Sequence, residues 1–193
     1  MRLAWVVLIA GCYTSAPAPT PISNRAEAPT GGLFQIRETS FGPITPRTQA
    51  TLSALRAAFT GYEVRASNDS GLSYSVYRGT EKLAWIIPND DGTIFNVHAT
   101  SNKVEIEGRR WRVGSPFKGA SHFTHCECWG DNPTCFRKGD HIAVNFEREC
   151  SHVAEQTTSA FAVLDGAVVQ RIIWSPKPFD GDDESFDDEP DAP

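Results

Sequence analysis

Short runs of β-branched and aromatic residues, separated by turn-forming residues, are the feature that most constrains the fold of this chain. Many of the runs alternate apolar and polar side chains, which is typical of strands with one buried face. The eight runs occupy residues 33–36, 62–65, 72–77, 83–87, 94–98, 104–107, 141–146 and 168–174. Turn sequences such as Arg78-Gly79 and Asp91-Gly92 separate neighbouring runs. The pattern therefore predicts a mainly antiparallel, meandering sheet.

One amphipathic helix is predicted between Thr45 and Gly61. Thr45 supplies an N-cap, and Pro46 stands at the first helical position, where the missing N–H costs nothing. Gly61 stands where a left-handed residue ends a helix. The apolar residues that recur at helical spacing are Leu52, Leu55 and Phe59. This stripe is expected to lie on the sheet.

A second, shorter helix is predicted to run from Ser115 toward His122. Ser115 and Pro116 repeat the cap and the proline of the first helix. Each predicted helix is followed by a series of strands, which indicates two related α/β halves. Together with the strand pattern, this predicts an α+β fold: a mainly antiparallel sheet with one clear and one shorter helix.

The N-terminus carries the pattern of an exported protein. One basic residue is followed by eight apolar residues and a glycine directly before Cys12, a segment too short to span a bilayer. Residues 9–12, Ile-Ala-Gly-Cys, resemble the bacterial lipobox, in which the signal is cut before the cysteine and the cysteine carries lipid. Tyr13 in place of an aspartate favours the outer membrane. The alternative is an ordinary secretory signal cut at a later alanine, such as Ala16 or Ala18.

These features divide the chain into four segments. Residues 1–11 are predicted to be a lipoprotein signal peptide, 12–32 the lipidated cysteine and a flexible Pro/Ala/Thr tether, 33–178 a single domain, and 179–193 a disordered acidic tail. The run from Asp180 onward holds eight of the chain's 24 acidic residues, which leaves 16 acidic against 18 basic residues elsewhere. The body is therefore near neutral and lacks the basic stripe of a nucleic-acid-binding protein. The expected contact is with a membrane, through the lipid.

Four cysteines remain for the exported domain, and an even number in an oxidising compartment predicts two disulfides. A bond between Cys126 and Cys128 is disfavoured, because alternate residues of an extended chain stand side by side. Two pairings stay open: the nested one, Cys126 with Cys150 and Cys128 with Cys135, and the crossed one. The turn-like residues 130–133 favour the nested pairing, since a turn there brings Cys128 and Cys135 together.

The same stretch allows two alternative chemistries. A zinc site would use His122, His125, Cys126, Cys128 and Cys135, but structural zinc sites rarely have the one-residue gap of Cys-Glu-Cys, and oxidation competes for the thiolates. A nucleophilic thiol would pair Cys126 with His125, but sequence neighbours rarely present their side chains to each other. We therefore predict no metal and no other cofactor.

Other marks of chemistry are sparse. Arg109, Arg110, Trp111 and Arg112 form a candidate patch for an anionic ligand through charge and stacking, against the alternative of a solvated turn with a core tryptophan. His98 is interpreted as a structural, half-exposed histidine on a strand. The sequence has no Gly-x-Ser-x-Gly, no phosphate-binding glycine loop and no His-Glu-x-x-His. No catalytic residue is therefore predicted.

Several blocks of the body resemble a known family. They are the Gly42-Pro43-Ile44 turn, the helix end at Gly61-Tyr62, the segment Val113-Gly114-Ser115, and a C-terminal block of Cys135, His141-Ile142, Phe146 and Arg171-Ile172-Ile173-Trp174. Together they resemble a family of bacterial envelope lipoproteins of unknown molecular function, which includes the RpoE-regulated lipoprotein of enterobacteria. The resemblance implies an envelope location and no catalytic residues. The extra cysteine pair and the acidic tail depart from the family, which puts transfer of a disulfide pairing in doubt.

The sequence as a whole favours a non-enzymatic, lipid-anchored envelope protein with a disulfide-braced domain that binds a partner or supports the envelope. Two other functions remain open at this point. One is a metal-binding or thiol-dependent enzyme centred on His122, His125 and the cysteines. The other is an inhibitor-like protein that presents aromatic residues to an envelope enzyme.

Overall fold

A computed structural model describes residues 34–69, 71–109, 111–119, 122–129, 132–150, 161 and 164–180. In chain order, the elements are β1 (Phe34–Arg37), β2 (Ser40–Phe41), α1 (Leu52–Ala58), β3 (Glu63–Ser67), β4 (Ser73–Arg78), β5 (Glu81–Pro88), β6 (Ile94–Ala99), β7 (Val104–Ile106), β8 (His125–Trp129), β9 (Asn132–Phe136), β10 (Ile142–Glu147) and β11 (Val168–Trp174). The predictions for Cys12 with the signal and tether, and for the tail beyond Asp180, lie outside the described residues.

Two four-stranded meanders form one antiparallel sheet of eight strands, in the order β3-β4-β5-β6-β11-β10-β9-β8. Each meander ends at the middle of the sheet, where β6 and β11 pair antiparallel through His98–Ile173 and Val97–Trp174. The predicted α+β fold with a mainly antiparallel sheet is confirmed. The two predicted halves correspond to the two meanders, although the described part of the second contains no α-helix.

The helix α1 begins six residues later than predicted, at Leu52 in place of Pro46. Its N-cap is Thr51, whose side chain accepts a hydrogen bond from the Ala54 N–H. Pro46 instead lies in a preceding turn, in which the Thr48 N–H donates to the Thr45 carbonyl. Gly61 follows the helix at a φ of 86°, the left-handed conformation predicted for the stop.

The predicted second helix is not formed over residues 115–119. Ser115 follows a turn at residues 113–114 and begins a short segment that pairs with the start of β11. The Gly114 N–H donates to the Val169 carbonyl at 2.7 Å, the Val169 N–H to the Ser115 carbonyl at 2.8 Å, and the Phe117 N–H to the Ala167 carbonyl at 2.8 Å. These long-range backbone hydrogen bonds override a local cap signal that is weak by itself.

A second sheet of three strands, in the order β2-β1-β7, covers one face of the large sheet together with α1. Within it, β1 pairs antiparallel with β2 and parallel with β7. One row of cross-strand partners on the covered face runs through all eight strands of the large sheet and is buried throughout. Its members are Val64, Val76, Ala84, Ala99, Ile172, Val144, Cys135 and Cys126. We call this the inner face.

The cysteines form the crossed pairing, so the nested pairing that the sequence favoured is wrong. Cys126 is bonded to Cys135 and Cys128 to Cys150, and the prediction of two disulfides is confirmed. The register of β8 on β9 explains the pairing: Cys126 stands opposite Cys135, whereas Cys128 stands opposite Pro133. The predicted turn had placed the centre of this hairpin one residue too far along the chain.

Candidate functional site

The face of the large sheet opposite the core, called here the outer face, gathers polar and aromatic side chains. A second row of cross-strand partners crosses all eight strands on this face, because side chains alternate between faces along each strand. Its members are Arg65, Ser75, Trp85, His98, Ile173, Ala143, Phe136 and His125. Residues more than a hundred positions apart in sequence thus become neighbours.

The middle of the outer face carries an aromatic-cationic cluster made of Lys82, Trp85, His98 and Arg171. The rings of Trp85 and His98 stack with centroids 4.7 Å apart and an interplanar angle of 9°. The Arg171 guanidinium carbon lies 5.8 Å from the Trp85 ring centroid, and the Lys82 ammonium lies 5.1 Å from it. Both distances are within cation–π range, so the half-buried indole is flanked by two positive charges.

A chain of neutral hydrogen-bonding groups holds Arg171 in place. Its Nε donates to Asn145 Oδ1 at 3.1 Å, and Nη2 donates to Gln170 Oε1 at 3.3 Å. Asn145 in turn donates to Thr134 Oγ1 at 2.9 Å, and both residues are buried. Among the described residues, no carboxylate forms an ion pair with Arg171. The guanidinium is therefore fixed in position, and its positive charge is not neutralised there.

His98 is neutral at ordinary pH. Burial, with the nearby positive charge of Arg171, lowers the pKa of His98 to about 4. Its Nε2 is 2.9 Å from Asn96 Oδ1, so Nε2 carries the proton and donates it. The buried Nδ1 is then the unprotonated nitrogen of the ring, and none of the described residues donates a hydrogen bond to it. The ring acts as a flat neutral support for Trp85.

Acidification is expected to destabilise the wild-type protein more than a His98→Gln variant. The folded pKa of His98 lies below the unfolded value of about 6.5, so the unfolded chain binds the proton more tightly. The contribution of His98 to stability is therefore present above about pH 6.5 and is lost as the pH falls toward 4. Urea unfolding at about pH 7 and about pH 4.5 should show an excess loss in the wild type of about 2 kcal/mol. Equal losses in the two proteins would contradict a depressed pKa.

Arg109, from the candidate anion patch, forms ion pairs with two carboxylates of this chain. Its Nη2 lies 2.7 Å from Glu38 Oε1 and 2.5 Å from Asp140 Oδ2. The second oxygen of Glu38 accepts the His141 backbone N–H at 2.8 Å, and the Glu38 carbonyl accepts the Trp174 indole N–H at 3.3 Å. This cluster ties the β1–β2 turn to the end of the large sheet, which is a structural role.

The other members of that patch do not gather around Arg109. Arg112 pairs through Nε with Glu105 at 2.6 Å. Trp111 is 1% exposed and lies in the core beside Phe123, while Arg110 is outside the described residues. The described residues of the patch therefore do not form one exposed anion-binding surface.

The residues of the alternative zinc site lie on different sides of the sheet. His125 and Cys126 are successive residues of β8, so they point to opposite faces: His125 shares the outer row, and Cys126 the inner row. The sulfurs of Cys126, Cys128 and Cys135 are held in disulfides, which leaves no thiolate for a metal or for nucleophilic attack. Within the described ranges, no group of three or more His, Cys, Asp or Glu side chains is arranged to hold a metal ion.

Sequence reasoning did not single out Trp85, Lys82 or Arg171 as site residues. The local signal that could have identified Trp85 is a tryptophan at a strand position that points away from the core. Arg171 entered only as part of the resemblance block. Their juxtaposition depends on the pairing of β6 with β11, two strands that are far apart in sequence.

No helix among the described residues combines the length and the hydrophobicity that crossing a bilayer requires.

No protein-family model matches the sequence, and no curated protein matches it. Among solved structures, the fold is similar to that of the uncharacterized protein YfeY from Escherichia coli, with a TM-score of 0.53 and 21% sequence identity. The match covers 73% of this chain and 99% of the YfeY chain. At this level of identity, the likeness shows that the two proteins share a fold.

Proposed function

We propose that this protein is a lipid-anchored, non-enzymatic binding module of the bacterial envelope, and that it holds a partner protein on the outer face of its sheet. The observation that carries the binding role is the aromatic-cationic cluster. It combines a large half-buried indole with two flanking positive charges, at 5.1 and 5.8 Å from the ring centroid. Aromatic and arginine side chains dominate the binding energy of many protein interfaces.

The rigidity of this face supports binding. Arg171 is held by two amide oxygens, and His98 stacks beneath Trp85. Side chains that are already fixed lose less conformational entropy when a partner docks, so more of the contact energy appears as affinity. The charge on Arg171 favours a partner that presents carboxylates or phosphates at the contact.

The location is supported by two independent features. Residues 9–12 have the form of a lipobox, and the domain contains two disulfides, which persist in oxidising compartments. Tyr13 after the cysteine favours the outer membrane. The resemblance to the family of RpoE-regulated envelope lipoproteins agrees with this location. A shared fold with an uncharacterized protein adds no activity.

Photo-crosslinking in living Gram-negative cells tests the proposal. With p-benzoylphenylalanine in place of the partly buried Ile87, which lies two residues from Trp85 on the same face of β5 and outside the cluster, the full chain is expected to give a discrete crosslinked band with an envelope protein. The same replacement at the exposed Lys118, near the Trp111 ring instead, is the matched control and should give none. The band should disappear in a Trp85→Ala, Arg171→Gln background, because that variant removes the indole and the fixed charge.

Metabolic labelling with palmitate in the same cells tests the anchor. Wild-type protein should carry label and fractionate with the outer membrane, and a Cys12→Ser protein should carry none. Unlabelled, freely soluble wild-type protein would contradict the lipid anchor. Equal crosslinking from positions 87 and 118, or none from either position, would contradict binding on the outer face.

A further inference from the structure

The last described residues place the C-terminal end of the domain on the outer face. The Phe179 ring packs against Phe136 with centroids 5.3 Å apart. Phe179 also joins Ala143 and Ile173 in a small apolar cluster of that face. Backbone hydrogen bonds fix it there, because its N–H donates to the Asp140 carbonyl at 2.8 Å. The acidic segment 181–193 therefore starts beside the row that contains His98 and Trp85.

The distance from Phe179 to the aromatic-cationic cluster is short compared with the extended length of segment 181–193. Ile173 is the cross-strand partner of His98, and His98 is the partner of Trp85. Two strand spacings are about 10 Å, and four spacings, from Phe136 to Trp85, are about 19 Å. An extended chain covers about 3.3 Å per residue, so Phe186, seven positions after Phe179, reaches the indole with room to spare.

The charges of the segment and of the cluster are complementary. Residues 181–193 carry seven carboxylates, no basic residue and one aromatic residue, Phe186. In the part of the chain that the structure describes, no carboxylate forms an ion pair with Lys82 or Arg171. By contrast, four other arginines pair with carboxylates: Arg37, Arg65, Arg109 and Arg112. The cluster is therefore a place on this face where added carboxylates find cations that have not been neutralised.

We propose that segment 181–193 folds back onto the outer face, with Phe186 against Trp85 and the flanking carboxylates at Lys82 and Arg171. The tail is then an intramolecular occupant of the cluster. Its tether raises its effective concentration to the millimolar range, so weak contacts suffice for occupancy. The regulatory consequence of this docking rests on the proposed function. A partner has to displace the tail from the cluster, so a partner with more negative charge at the contact displaces the tail more readily than a less charged one.

Zero-length crosslinking of the purified chain with Cys12→Ser tests the docking. A carbodiimide joins a lysine to a carboxylate that is in contact with it, and mass spectrometry identifies the joined peptides. The yield of Lys82 joined to residues 182–191 is expected to be at least about tenfold that of Lys118, an exposed lysine near the Trp111 ring. About 1 M NaCl should reduce the Lys82 yield several-fold, since the Debye length falls to about 3 Å.

Two variants separate docking from chance collisions. Arg171→Gln leaves Lys82 in place and should reduce its crosslinking several-fold, while Phe186→Ser should reduce it without any change in charge. Equal yields at Lys82 and Lys118, or a Lys82 yield that is insensitive to salt and to both variants, would overturn the proposal.

A chain ending at Asp180 should give a stronger in-cell crosslink to the partner. If the tail docks and no partner is captured, the proposed function fails and the docking stands.

Discussion

Replacing Trp111 by alanine is expected to lower the free energy of unfolding by about 3–5 kcal/mol, the range for large aromatic side chains in cores. Trp111 is 1% exposed. Its ring lies 5.5 Å from that of Phe123 and 5.9 Å from that of Phe146, which projects from the inner face of β10. Truncation leaves a cavity between the sheet and the segment that covers it. Urea unfolding at neutral pH measures the loss.

Phenylalanine variants provide a matched control for this prediction. No described residue accepts a hydrogen bond from the buried indole N–H of Trp111, so Trp111→Phe removes a donor that has no partner there. Trp174→Phe, in contrast, removes an indole N–H that donates to the Glu38 carbonyl at 3.3 Å. Trp174→Phe should therefore cost about 1 kcal/mol more than Trp111→Phe. The opposite order would mean that the Trp111 N–H has a strong acceptor.

Removal of the disulfides is expected to have the second large effect. The Cys128–Cys150 bond joins residues 22 apart, and the Cys126–Cys135 bond joins residues 9 apart. The chain-entropy relation gives about 3 kcal/mol for the longer loop and about 2.5 kcal/mol for the shorter one. The longer bond also ties β8, which lies at the edge of the sheet, to the chain that follows β10. Its loss should therefore be the larger one.

Double alanine variants, one for each bonded pair, separate the two contributions. Each is unfolded in urea without reductant, and peptide mapping of the wild type first verifies the crossed pairing. A mapped Cys128–Cys135 peptide would contradict the pairing itself. A wild-type stability that reductant leaves unchanged would contradict the bracing role of both bonds.

The outer face and the N-terminal segment are independent parts of the functional proposal. A binding face can operate without a lipid, and an anchored domain can lack a partner. The lipid label and the in-cell crosslink therefore answer different questions. The cluster around Trp85 must be tested in this chain itself.

Most strands could be predicted from the sequence, because alternation over a few residues is a local pattern. The strands β8 and β9 were missed, since histidine and cysteine in residues 125–136 suggested metal or turn chemistry and masked the alternation. The helix start was misplaced because Thr45-Pro46 and Thr51 both offer a capping hydroxyl. Tertiary packing selected Thr51, so that Leu55 is buried against the sheet.

The sequence by itself determined the class of fold and the number of disulfides. These follow from composition and from a period of two, which any short window reveals. Only the tertiary structure decided the crossed cysteine pairing and the cluster of Trp85, His98 and Arg171. Both depend on strand register: moving the centre of the β8–β9 hairpin by one residue shifts the pairing by two residues and would place Cys128, instead of Cys126, opposite Cys135. The pairing of β6 with β11 depends on packing between distant segments, which no local pattern encodes.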